Sequence, residues 1–185
     1  MEALDALLNR VSLARLREPA PTAAQRELLF RAALRAPDHG YLRPWRFLSI
    51  EGAARDKLGE LFASALLQKN PAATPEALAK ARAMPLRAPL MVVVVATLQA
   101  HPKVPEGEQL LSAGCSAHGI LLAAHAQGLG AMWRTGEMAY DRHVAAGLGL
   151  DAHEQVVGFI YLGNVEGERR SPPALEPADF VQVWS

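Results

Sequence analysis

Three short polar constellations in the chain have the residue types and spacing to do chemistry. Arg10 is followed two residues later by Ser12, Arg35 is followed four residues later by His39, and Trp133, Arg134 and Thr135 run consecutively. A guanidinium forks two hydrogen bonds onto a phosphate or carboxylate, and a nearby hydroxyl adds a third, so such pairs suit an anionic group. The competing reading is that these are solvated arginines at helix ends, where the helix dipole mildly favours positive charge. Likewise Trp45, Trp133 and Trp184 suit core filling as well as stacking on a ring. Cys115, His118 and His125 fall near one stripe of a predicted helix, which raises a metal site. Structural zinc wants four ligands, however, a seven-residue step spans about 10 Å along a helix, and Cys115 is the single cysteine. As a nucleophile Cys115 would need an electropositive, partly exposed setting, and among Ala, Gly and Leu it reads as packing. Neither Gly-x-Gly-x-x-Gly nor Gly-x-x-x-x-Gly-Lys-Ser/Thr occurs. A bound nucleotide would have to be gripped by arginines.

The elements that must position these residues follow from periodicity and breakers. Ala3, Leu4, Leu7 and Leu8 recur at helical spacing, which predicts a first helix over Glu2 to Asn9 that delivers Arg10 to its end. Thr22 with Gln25 reads as a capping box opening a second helix, with Leu28, Leu29, Ala32 and Ala33 turned inward. Pro37 biases Ala36 away from the helical region, so Ala36 to Pro44 is expected to be irregular. Trp45 to Ile50 reads as a strand, Gly52 starts a helix that Asn70-Pro71 ends, and Thr74-Pro75-Glu76 opens a further short one. Leu90 to Ala96 is β-branched and apolar on both faces, as a central strand should be. Glu106 to Gln127 predicts a helix of about six turns, small or apolar on nearly every side. Such a helix is expected to be buried, in part against a second copy of the chain, with Gly114, Ala117 and Gly119 permitting close approach. Trp133 to Gly136 is expected to be a polar turn, Ala139 to Leu148 a short helix, Gln155 to Leu162 a strand, and Phe180 to Trp184 a last apolar patch. The expected architecture is one α+β domain over residues 1–185, three layers deep, with helices on both faces of a short mixed sheet.

Composition narrows the function classes. Lys plus Arg and Asp plus Glu both number 19, so the whole-chain field lacks the footprint of a nucleic-acid binder. The longest apolar runs fall well short of the roughly 20 residues that span a bilayer, so no membrane partner is expected. No basic-then-apolar leader opens the sequence, and a lone cysteine makes no internal disulfide, so the expected location is the cytoplasm.

Five segments together resemble the nitroreductase family, in matching order over nearly the whole length. They are Met1 to Ser12, Arg31 to His39 continuing to Pro44-Trp45, Ser112 to Cys115, Ala126 to Arg134, and Val157 to Gly163. The combination Arg35-Ala-Pro-Asp-His39 with Pro44-Trp45 is the most specific. The resemblance implies a nitroreductase-like fold, with a mixed but mostly antiparallel sheet flanked by helices and a long buried helix at a homodimer interface. It implies that Arg10, Val11 and Ser12 hold the phosphate and ribityl part of FMN, although the family pattern usually reads Arg-Arg-Ser there and Val11 offers only backbone or packing. It implies that Arg35 and His39 reach the flavin from the second subunit, that Trp133, Arg134 and Thr135 touch it, and that Ala123, Ala124, His125, Ala126, Gln127 and Gly128 meet NAD(P)H. The implied reaction is hydride transfer from NAD(P)H through flavin N5 to a small electron-poor acceptor such as a nitroaromatic or quinone, with no side chain required as acid or base. A non-catalytic flavin carrier or sensor would keep the same contacts.

Overall fold

The computed structural model describes residues 1–185. Its centre is a pair of antiparallel strands, β3 (Leu90–Thr97) and β5 (Glu154–Val165). Because side chains alternate across a strand, β3 sends Met91, Val93 and Val95 to one face and Leu90, Val92 and Val94 to the other, and all six are buried. β2 (Trp45–Glu51) pairs with β3, and both β4 (Gly130–Arg134) and the two-residue β1 (Leu16–Arg17) pair with β5. Every one of these pairings is antiparallel.

Each face carries its own core. On the first, α3 (Ala53–Lys69) and α4 (Pro75–Ala83) cover Phe159 and Tyr161, with Phe62 meeting Phe159 edge-on at 5.4 Å between ring centroids. On the second, α2 (Ala23–Ala33) and α5 (Glu106–Ala126) bury Leu29, Ala117, Ile120 and Leu121 against Ile160 and Leu162. The layers come close where glycine leaves room. A Cβ on Gly59 would lie 2.4 Å from the Arg82 carbonyl oxygen, and one on Gly119 would lie 2.9 Å from that of Ala32.

The predicted helix starts are present. Thr22 and Gln25 make both bonds of the capping box, and the Thr74 hydroxyl accepts from the Ala77 backbone with Pro75 in the first turn. Other expectations are corrected. Leu28 is 52% exposed and Ala32 only half-buried, because α2 turns just Leu29 and Ala33 fully inward. Trp133 and Arg134 belong to β4 rather than to a turn, since Ala131 to Arg134 find partners along Phe159 to Leu162. The helix expected over Ala139 to Leu148 is two, α6 (Glu137–Tyr140) and α7 (Arg142–Gly147), broken at Asp141, whose carboxylate accepts from the backbone of His143 and Val144 to start the second. Within the chain Ala117 is buried, Gly119 lies against the Ala32 backbone, and the half-buried Gly114 lies next to Trp133. The part of α5 left open is a stripe with Leu111, 72% exposed, beside Cys115 and His118. Phe180 to Trp184 forms no strand, and Trp184 is fully exposed.

One ion pair locks the start of β5. Arg46 of β2 donates through Nε and Nη2 to the two Glu154 oxygens, each at 2.6 Å, and also to the Gly149 carbonyl at 3.2 Å. These bonds, helped by the Asp151 backbone N–H and by the charges of Arg46 and His153, outweigh burial and hold the carboxyl at about 2, below its ordinary 4.5. A carboxylate lowered on folding stabilises above its unfolded value, and that contribution drains as pH falls. Glu154→Gln is therefore expected to cost about 1–3 kcal/mol at pH 7, between exposed and buried pairs. The gap between wild type and variant should close as pH drops from 4.5 towards 2. Urea unfolding at several pH values checks this; a pH-independent gap would show that the charge is not what stabilises.

Candidate functional site

The loop after α1 (Ala3–Asn9) is built onto β4. Arg10 leaves the helix in extended backbone, and the Leu13 N–H donates to the Ala131 carbonyl at 3.0 Å, which lays Arg10, Val11 and Ser12 beside the start of that strand. Leu13 is buried, Arg10 and Val11 are half-buried, and Ser12 is exposed. At the other end of β4, alternation divides the aromatic-basic run. Trp133 turns towards α5, where its indole N–H donates to the Val157 carbonyl at 3.3 Å. Arg134 turns to the opposite face and lies 5.7 Å above the Tyr161 ring, within cation–π range. Thr135 and Gly136 follow in the open, Gly136 in the left-handed region at φ 72°.

Beside this strand end is a cavity of about 600 Å³ between the sheet and α3, α4 and α6. Its sides are apolar, from Phe62, Leu66, Met84, Met132, Phe159 and Tyr161. Its polar lining includes Lys80, Arg87 and Arg134, and none of the three is engaged in an ion pair. Glu137, also on the wall, is tied to Lys69 at 3.2 Å. Burial raises the Tyr161 phenol above its ordinary value, while Arg87 and Arg134 pull it back. Lys80, Arg87 and Tyr161 escaped the sequence reading. The only signal for Tyr161 was its place two residues after Phe159, which puts both rings on one face.

Arg35 and His39 lie elsewhere. Arg35 is exposed at the exit of α2, and His39 sits in a single-turn 3-10 helix with Nδ1 2.7 Å from a Glu108 carboxylate oxygen at the start of α5. From Glu108 to His125 the helix rises about 25 Å, so within one chain His39 is at the opposite end of α5 from His125, while Arg35 lies just beyond Ala33, which packs at Gly119 in mid-helix. The segment Ala123 to Gly128 is the last turn of α5 and its cap. Ala124 and His125 are buried, and Gln127 donates to the carbonyls of Gln25 and Ala123 at 3.3 and 3.1 Å. Burial first, and then the charges of Arg169 and Arg10, pull the His125 imidazole below its ordinary value. Cys115, expected as packing, is exposed, and no three His, Cys, Asp or Glu side chains converge as a metal ligand set.

The sequence model of the Nitroreductase family matches residues 9–164, which spans both the Arg10 loop and β4. The chain belongs to the nitroreductase family. It is accordingly an oxidoreductase of the nitroreductase type. A relative in Escherichia coli, named Putative NAD(P)H nitroreductase YdjA, is 43% identical over 167 residues, covering 89% of this chain and 88% of its own. The crystal structure of a nitroreductase-like family protein from Bacillus cereus superposes with a TM-score of 0.85 at 19% identity, covering 100% of this chain and 96% of that one. A variant of the FMN and NADPH-dependent nitroreductase NfnB, from a Sphigopyxis strain, gives a TM-score of 0.78 at 18% identity and covers 99% of each chain. These neighbours carry the same fold, as read from the sequence.

Trp133 is held by the absence of a side chain opposite. A Cβ on Gly158 would lie 2.0 Å from its Nε1 and 3.0 Å from the Arg134 carbonyl oxygen. Gly158→Ala is expected to displace the indole and lower unfolding free energy by about 1–3 kcal/mol through overpacking. Urea titration with tryptophan emission measures both, and unaltered stability and emission would mean that Trp133 is not seated as described.

Proposed function

We propose that the chain is an FMN-dependent oxidoreductase that passes hydride from NAD(P)H to a small electron-poor acceptor, a nitroaromatic or quinone, and works as a cytoplasmic homodimer. The observation that carries the reading is the cavity beside Trp133 to Thr135. Its volume of about 600 Å³ falls in the range of cofactor pockets, and its apolar walls with Lys80, Arg87 and Arg134 suit a flat aromatic system that gains negative charge on reduction. The flavin, when bound, supplies the redox chemistry. The chain's part is to bind and orient. Arg10 and Ser12 grip phosphate and ribityl, with Val11 contributing backbone or packing, and Trp133, Arg134 and Thr135 contact the ring. Ala123 to Gly128 is the segment offered to NAD(P)H.

Dimerisation is supported by what one chain leaves unfinished. The open stripe at Leu111, the exposed Leu4, Leu7 and Leu8 of α1, and the uncovered Phe180, Val183 and Trp184 exceed the scattered apolar exposure expected of a monomer. Two α5 helices packed antiparallel through that stripe would carry Arg35 and His39 of a second copy towards the first copy's Arg10.

Purified protein supplied with FMN should show a bound-flavin absorption band that bleaches on anaerobic NADPH or NADH. A bound band that never bleaches would favour a carrier or sensor, and no bound flavin would overturn the assignment. Arg10→Ala should weaken FMN retention by about 10–100-fold, the loss of one charge-assisted hydrogen-bond set. Undiminished retention after gel filtration would remove Arg10 from the phosphate. Leu111→Glu should shift sedimentation from dimer to monomer and lose flavin with it; a monomeric wild type that holds FMN tightly would refute the shared site.

A further inference from the structure

The cavity between the sheet and α3, α4 and α6 has two unlike walls. One is the end of β4, where Trp133 to Thr135 contact the ring on the flavin reading. The other is a stripe of α4 and the single turn that follows it, where Ala77, Lys80, Met84 and Arg87 recur at intervals of three and four and all line the cavity. An inward stripe of this kind is ordinarily apolar, yet two of its four members are cations. Arg82 of the same helix does not line the cavity and donates to Glu60 at 2.8 Å, whereas Lys80 and Arg87 have no acid. Glu137, the one acid in the lining, is already tied to Lys69.

Tyr161 adds a donor between these walls. It is 4% exposed and lines the cavity, and its hydroxyl makes no hydrogen bond within the chain, although no side-chain oxygen is sealed away without a partner. Arg134 lies over its ring, and Arg87 also bears on the phenol. A protonated phenol donates one hydrogen bond, and here that bond is left for an oxygen in the cavity. The apolar surface around it comes from the rings of Phe62 and Phe159 and the thioethers of Met84, Met132 and Met138. Thioethers adapt to, and pack favourably on, aromatic rings.

From this juxtaposition we infer that the helical wall is a subsite for the electron acceptor and selects an aromatic acceptor that carries a carboxylate, held by Lys80 and Arg87 with a hydrogen bond from Tyr161. The inference rests on the flavin reading for the source of electrons. A hydride brings one negative charge to the cavity, and Arg134 stands on the wall beside the ring that receives it. Lys80 and Arg87, on the other wall, face a fixed anion. The carboxylate is bound and left unchanged. Elsewhere on the acceptor, a nitro group that receives a hydride and one proton becomes a nitroso group with loss of water, and a quinone that receives the same pair becomes a hydroquinone. A neutral amide of the same shape leaves both cations without counter-charge. Because Lys80 and Arg87 are exposed, water competes for them, and the preference for the acid over the amide is about tenfold.

The test titrates the FMN-loaded protein calorimetrically with benzoate, benzamide and acetate at matched ionic strength, so that binding is read apart from turnover. Benzoate is expected to bind about tenfold tighter than benzamide, and acetate, which has the charge without the ring, more weakly than benzoate. Lys80→Gln with Arg87→Gln should remove the preference for benzoate, and Tyr161→Phe, which keeps the ring and removes the hydroxyl, should weaken benzoate by about threefold to tenfold. With NADPH as donor, the ratio of kcat/KM for para-nitrobenzoate over para-nitrobenzamide should fall about tenfold in the double variant, through KM. Benzoate and benzamide bound alike, by a protein whose FMN bleaches with NADPH, would overturn the subsite and leave the flavin reading intact. Acetate bound as tightly as benzoate would overturn the aromatic class. Benzoate that binds the flavin-free protein but is excluded by FMN would return both cations to the flavin and overturn the acceptor subsite. A benzoate preference that depends on Lys80 and Arg87 in a protein that binds no flavin would keep the carboxylate site and discard the flavin reading.

Discussion

The pairing of β3 with β5 is the constraint on which everything else hangs. Eight residues of β3 lie opposite β5, and the alternation along both strands splits the interior into two separate cores. Parting that pair would open both cores at once, since each face is closed by different helices. It also decides where a ligand can enter. α3 and α4 cover the first face only as far as Phe62 and Met84, while β4 extends the sheet beyond them, and the cavity opens in the uncovered interval beside Arg134 and Tyr161. The second face is closed more fully because α5 is 21 residues long. Its lack of bulk at Gly119 lets it lie close to α2.

Elements governed by local rules were legible. The Thr22 and Thr74 caps, the breaks at Asn70 and Pro37, and the β-branched run of β3 depend on neighbours within a few residues, and each is where the pattern placed it. What failed depended on partners distant in sequence. Trp133 and Arg134 look like a polar turn until β5 supplies hydrogen bonds, and Leu28 looks like core until the rotation of α2 on α5 is known. Asp141 was a cap hidden inside an apolar run, so one helix was read where two exist.

The site was legible in pieces but not as a whole. The run at Trp133 to Thr135 stood out by residue type, yet Lys80 and Arg87 are unremarkable in helical and proline-rich surroundings and become significant only by facing the same cavity. Conversely Arg35 and His39 stood out, and one chain places His39 at the start of α5, by Glu108, away from the helix end beside β4. The spacing of motifs along a sequence carries no information on which copy of the chain supplies them. The resemblance supplied that link, and the open stripe on α5 is the physical feature that agrees with it.

Net charge was a poor guide to the local field. Equal numbers of acids and bases suggest a featureless surface, but the acids are unevenly committed. Glu51 is spent on Arg26, Glu154 on Arg46, Glu60 on Arg82, Glu27 on Arg31 and Glu108 on His39. All but the Glu27–Arg31 pair, which lies within α2, tie one element to another. Of the cations left without an acid, Lys80, Arg87 and Arg134 gather at the cavity, while others such as Arg15, Arg35, Lys57 and Lys103 are spread over the exposed surface. Unpaired like charges held side by side repel, and only Arg134 is seen to be offset in part, by its place over the Tyr161 ring. The cluster at the cavity borders an apolar slot whose shape and charge suit a flat ring that gains negative charge.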